Sequence, residues 1–174
     1  MAFSDTFYTD IEEGLITLMG ENAYLKIGGT YGIKSIEHGY KPVEHELPSI
    51  HIDVVGDEPA PVSDSNFELG GSAGNIYHNV VHLTTFIYQK WNGANEQEVL
   101  NGATVNTASG TETKYGIKQI ACYTRAFYTQ QYTIDGTVFL FRWTGTVFIP
   151  ENEDEKGWLA HAQVSADAFY QIQL

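Results

Sequence analysis

From Trp158 to Leu174 the chain alternates, with Trp158, Ala160, Ala162, Val164, Ala166, Ala168, Tyr170, Ile172 and Leu174 falling on one side. The other side carries mostly polar groups, among them His161, Gln163, Ser165, Asp167, Gln171 and Gln173. Side chains of an extended chain point to opposite faces with a period of two, so the pattern predicts a long strand, running to the last residue, with one buried and one wet face. The inward alanines leave room for a helix lying across the sheet. Upstream, after a turn at Asp135-Gly136, Phe139, Phe141, Trp143, Val147 and Ile149 alternate with Leu140, Arg142, Thr144 and Thr146 and predict a second long strand. Between the two lies Pro150 to Gly157, so both strands form a hairpin with unusually long arms and a charged tip.

Helical spacing governs two other stretches. Tyr8, Ile11, Leu15, Leu18 and Met19 predict an N-terminal helix, with Ser4 as its cap, acidic residues in its first turns and Gly20 at its end. Ile117, Ile120, Ala121, Thr124, Phe127 and Tyr128 share one face of a second helix, although Gly116 and the β-branched and aromatic content weaken it. Ile50, Ile52 and Val54 follow Pro48 as a strand, and Ile76 to Trp91, apolar on both faces, reads as a central strand covered on two sides. Ala23 to Ile36 suggests a hairpin or two brief strands, and Glu96 to Leu100 a short turn of helix. Gly56 to Gly74 reads as a long surface loop or arm, and Gly102 to Thr111 as a mobile or partner-ordered stretch. The fold class that follows is α+β: one domain over 1–174, with a mainly antiparallel sheet, a loop or arm near 56–75 and an extended hairpin over 137–174.

Composition narrows the function classes. Nine Lys+Arg against 22 Asp+Glu give a net charge of −13, which repels phosphate backbones at long range and disfavours DNA binding by a basic groove. Cys122 is the only cysteine, so an internal disulfide and an all-cysteine metal site are excluded. No signal-peptide pattern and no bilayer-length apolar run are present, so the expectation is a soluble protein of a reducing compartment.

The chemistry-bearing motifs are weak. Gly70-Gly71-Ser72-Ala73-Gly74 matches the nucleophile-elbow spacing, but that motif needs a strand before it and a helix after it, whereas here loop precedes and strand follows. His78 and His82 lie too far apart along a strand for easy chelation, and His45 and His51 with Glu44 or Asp53 match no established ligand spacing. Glu151 to Glu155 lacks the glycine and the ligand spacing of an EF-hand loop; it reads as a solvated tip, or one that meets basic groups on a partner. Gly28-Gly29-Thr30-Tyr31-Gly32 has no lysine and no following helix to bind phosphate, and Cys122 reads as a packed small residue. No catalytic, cofactor or metal site is expected.

Long hairpin arms expose backbone edges that proteins usually close, shield or pair with another subunit, which points to obligate assembly. The Tyr8 to Met19 helix, the Leu47-Pro48-Ser49-Ile50-His51-Ile52 approach to a strand, the Ile76 to Trp91 strand, the Ile117 to Tyr128 helix and the alternating C-terminal strand together resemble the tail terminator proteins of long-tailed bacteriophages, and more broadly the related neck, tail-completion and tube proteins. That resemblance implies a non-enzymatic virion protein, assembled in the host cytoplasm, whose copies form a hexameric ring that caps the tail tube and joins it to the head connector. DNA would pass through the ring without specific binding, and no membrane is involved. The expected interface or channel residues are Glu151, Glu153, Asp154 and Glu155 at the tip, with Asp57 and Glu58 in the loop. An alternative is a β-rich module using Trp91, Trp143, Trp158 and several tyrosines as a platform for carbohydrate or a host-surface ligand. A hydrolase using Ser72 is a third.

Overall fold

A computed structural model describes residues 6–39, 47–59, 76–91, 93–130, 132–134, 138–154 and 157–173; of 59, 76–78, 139, 150–154, 157 and 171–173 it describes the backbone alone. The architecture is α+β. A first helix, α1 (Phe7–Glu21), precedes β1 (Ser35–His38), β2 (Ser49–Pro59) and β3 (Ile76–Lys90). A short helix, α2 (Glu96–Asn101), leads into the pair β4 (Ala103–Thr107) and β5 (Gly110–Lys114), and then into α3 (Ile117–Thr129). The hairpin of β6 (Val138–Asp154) and β7 (Gly157–Gln173) completes the chain. Five strands form one sheet in the order β1-β2-β3-β7-β6, antiparallel except for the β1-β2 pair, and β4-β5 stands apart as a two-stranded sheet.

The alternating pattern becomes one packed face. Ala160, Ala162, Val164, Ala166 and Ala168 of β7 are all at most 3% exposed, and α2 and α3 pack over that strand as the alanine row predicts. Their neighbours across β3 are Gln89, Ile87, Thr85, Leu83 and Val81 on the same face. From α3, Ile117, Ile120, Ala121, Thr124, Phe127 and Tyr128 are buried, and the Tyr128 hydroxyl bonds Thr85 Oγ1 at 2.6 Å, so a polar pair inside the core is satisfied. Helix α1 buries Phe7, Ile11, Leu15 and Met19, one residue per turn, against β1 and β2. Glu12 fastens it to the sheet edge by accepting the Val54 N–H at 2.9 Å and pairing with His38 Nδ1 at 2.8 Å.

Several expectations need correction. Tyr8 is 39% exposed rather than core, and α1 runs past Gly20 to Glu21; Ser4 and the Asp135-Gly136 turn lie outside the described residues. Residues 22–34 form successive turns rather than a hairpin, and β1 pairs in parallel with β2. Gly56 to Pro59, read as loop, continue β2, and the rest of the 56–75 arm lies outside the described residues. Gly102 to Thr111 is ordered as the β4-β5 hairpin, whose strands are almost wholly exposed. Cys122 is exposed, not packed. The second face of β7 is not wet throughout: His161, Asp167 and Phe169 are at most 8% exposed.

The second face of β6 departs from simple alternation for a definite reason. An irregularity between Trp143 and Gly145 inserts an extra residue, so Phe141 and Trp143 lie opposite Ala168 and Ala166, but Thr146 and Phe148, not Val147 and Ile149, lie opposite Val164 and Ala162. A bulge of this kind exchanges the faces of everything beyond it.

Candidate functional site

The acidic residues expected to form one surface are dispersed. Past an irregularity between Val54 and Gly56, Asp57 pairs with Val81 and Glu58 with Val80, so the two carboxylates leave β2 on opposite faces. Asp57 lies on the helix side, where the Tyr170 hydroxyl donates to Oδ2 at 3.4 Å. Burial first, and then the neighbouring Asp57 charge, push the Tyr170 phenol up to about 12. Burial and the Asp57 hydrogen bond also raise Tyr8. Glu58 lies on the other face, 3.5 Å from His82 Nε2. At the hairpin tip, Glu153 pairs with Trp158 and Asp154 with Gly157, and Glu151 lies in the irregular stretch between Pro150 and Glu153. Glu155 and the side chains of Glu151, Glu153 and Asp154 lie outside the described residues. From Gly157 to Ala168, the β7 residue level with Asp57, the strand advances about 35 Å at ~3.3 Å per residue. Tip and β2 acids therefore belong to opposite ends of the sheet.

The face opposite the helices carries an ordered polar and aromatic array that sequence reasoning missed. Asp167, 6% exposed, accepts from Arg142 Nη2 at 2.9 Å and pairs with His82 Nδ1 at 2.8 Å, joining β6, β7 and β3. The Arg142 guanidinium also lies 4.9 Å from the Phe169 ring centroid. Towards the other end, the rings of His51, Tyr88 and His161 follow one another at 5.6 and 5.2 Å, with His51 Nε2 3.0 Å from Ser49 Oγ. The signal was available only in part: His161 and Asp167 share one face of β7 by parity, but the meeting of Asp167 with His82 depends on the β3-β7 register. His45, His78 and Ser72 lie, in whole or in side chain, outside the described residues. Among the described residues no group of three His, Cys, Asp or Glu side chains could hold a metal ion, and no helix is long and apolar enough to cross a membrane.

No family model and no curated protein matches the chain. The functional reading therefore rests on geometry, and its most informative element is the outer edge of the sheet.

Strand β7 is flanked on both sides, but β6 is the terminal strand and, among the described residues, its outer edge is met only at Val138, by an isolated bridge with Ile134. At ~3.3 Å per residue its 17 residues span roughly 55 Å. β7 is paired with β3 from Leu159 to Gln173, so the hairpin is built into the sheet along nearly all its length. Irregularities at Val138/Leu140, Trp143/Gly145 and Pro150/Glu153 interrupt the edge and leave Gly145 to Pro150 as a regular segment. Within it Val147 is 56% and Phe148 39% exposed. The two side chains leave on opposite faces, and a regular edge that is unpaired among the described residues is suited to adding a strand.

The tryptophans of the alternative reading are placed separately. Trp143 is covered by the Arg125 guanidinium, 4.0 Å from its ring centroid, and its indole N–H donates to Gly145 O at 2.9 Å. Trp158 lies at the tip end of β7, and Trp91 just beyond the end of β3 beside Lys114.

Proposed function

We propose that this protein is a structural virion component whose copies close into a ring at the tail–neck junction of a long-tailed phage, capping the tail tube and joining it to the head connector. The observation that carries the reading is the β6 edge, a regular segment from Gly145 to Pro150 that is unpaired among the described residues, with Val147 and Phe148 exposed. An edge without a partner invites self-association, and a head-to-tail contact between unlike surfaces gives a ring when the rotation between copies closes. The element order, with its N-terminal helix, helix-covered antiparallel sheet and long terminal hairpin, supports the same reading. So does the charge: a wall carrying a share of the −13 net charge lets duplex DNA pass without adhering.

Negative-stain microscopy tests the proposal. Purified protein is expected to give annular particles that seat on the ends of isolated tail tubes, and Val147→Lys is expected to abolish the annuli while leaving the circular dichroism spectrum unchanged. Dispersed single subunits with no affinity for tube ends would refute it.

A further inference from the structure

Three lysines of this acidic chain meet at one cleft. At the end of β3, Gln89 and Trp91 face the β5 residues Glu112 and Lys114, and a cleft of about 840 Å³ opens between them, completed by the Tyr31 turn and by Leu47-Pro48. Lys34, Lys90 and Lys114 all line it, three of only nine basic residues in the chain, and among its described lining residues Glu112 is the single carboxylate. Lys34 and Lys114 alone outnumber that carboxylate, so among the described lining residues the charge balance is the reverse of the whole chain's, which favours an anion here over elsewhere.

Aromatic surface accompanies the charge. Trp91 lies half-buried in the cleft with Lys114 Nζ 5.8 Å from its ring centroid, and Tyr31 meets Tyr115 edge-on at 4.9 Å. A flat ring entering the cleft has π-faces to stack on.

The third observation is independent of both. Gln89 lines the cleft yet is 1% exposed, so it belongs to the cleft floor. Its Nε2 donates to Tyr115 O at 2.8 Å, which fixes the orientation of the amide, because the flipped form would set two oxygens against each other. Its Oε1 is left buried with no hydrogen-bond partner among the described residues. Buried acceptors in folded proteins are almost always satisfied, so an oxygen held this way marks where a donor belongs.

We infer that the cleft binds a nucleoside phosphate: the phosphates on Lys34 and Lys114, the base against Trp91 and the tyrosines, and a base N–H or exocyclic amine on Gln89 Oε1. An anion alone leaves the aromatic wall and the amide unused, and a neutral aromatic leaves the lysines unused. A nucleotide uses all three, and the volume is within the range of small-ligand sites. The inference stands apart from the ring, since none of these residues lies on the β6 edge.

Isothermal titration calorimetry of the full chain with ATP, adenosine, inorganic tripolyphosphate and a tetradeoxyadenylate decides it. ATP or the oligonucleotide is expected to bind at least ten-fold more tightly than either adenosine or tripolyphosphate. The tighter of the two shows whether the site takes a free nucleotide or one carried in a single strand. Lys114→Glu and Trp91→Ala are each expected to weaken binding at least ten-fold, and Lys34→Glu, at an exposed position, to weaken it without altering the melting temperature. Absence of binding by ATP and the oligonucleotide at millimolar concentration, equal affinity for tripolyphosphate, or affinity unchanged in all three variants overturns the inference.

Discussion

Arg142 and Asp167 face each other as register partners across β6 and β7, and the Arg142 Nη2 donates to Asp167 Oδ2 at 2.9 Å. The contact sits between two irregularities of β6, where the strand is freest to slip, and a slip of one residue would exchange its two faces. Asp167 is buried and also pairs with His82 of β3, so removing it takes a contact from two partners at once. Asp167→Ala is expected to cost about 2–3 kcal/mol in urea unfolding, and Arg142→Ala, which leaves the histidine contact in place, about 1 kcal/mol. Equal and negligible losses would show that this pair does not hold the hairpin in register.

Gly116 is required by packing. A Cβ added there would lie 2.3 Å from Gly102 N and 2.6 Å from Leu100 O, backbone atoms of the α2 end that cannot swing aside. Gly116→Ala is therefore expected to destabilise by about 2–3 kcal/mol. Gly20, exposed in the last turn of α1 with nothing within 4 Å of an added Cβ, makes the contrast: Gly20→Ala is expected to stabilise by about 0.5–1 kcal/mol. Thermal unfolding of the two variants side by side checks both signs.

Alkaline pH is expected to weaken the fold through Tyr170 and Tyr128. Burial raises both phenols, Tyr170 to about 12 and Tyr128 further, against an unfolded value near 10. A phenol that ionises more readily in the unfolded chain contributes its full stability below pH 10 and loses it as pH rises through the folded value. The decline between pH 10 and 12 is expected to be shallower in Tyr170→Phe than in the parent chain, as read from chemical unfolding at each pH. Parallel curves would mean that the Tyr170 hydroxyl is not protected.

The extent to which the fold was legible follows the length of each periodic segment. The alanine row of β7 and the spacing of Ile117, Ile120, Ala121 and Thr124 announce a strand under a helix, because burial on one face leaves a period in the sequence. Short elements leave little. Four residues of β1 carry no period from which their parallel pairing with β2 could be read. The exposed β4-β5 hairpin has no buried face to mark it. On β6 the period is present but broken, and an extra residue at a bulge reassigns Val147 and Phe148 in a way that composition does not reveal.

The candidate sites were harder still. Asp57 and Glu58 look alike as neighbouring acids, yet one lies beside Tyr170 and the other beside His82, because consecutive strand residues leave on opposite faces. The lysine cleft gathers Lys34, Lys90 and Lys114 from three separate parts of the chain. Net charge sums over the whole surface and so conceals it.

The ring is tested most directly by native mass spectrometry of the purified chain at micromolar concentration, with Val147→Lys measured alongside. A closed oligomer, a hexamer of six times the 19.4 kDa chain, is expected for the parent, and the 19.4 kDa subunit for the variant, which keeps its fold because Val147 is exposed. A parent protein that stays at 19.4 kDa up to high concentration, or an oligomer that Val147→Lys leaves intact, would contradict assembly through the β6 edge.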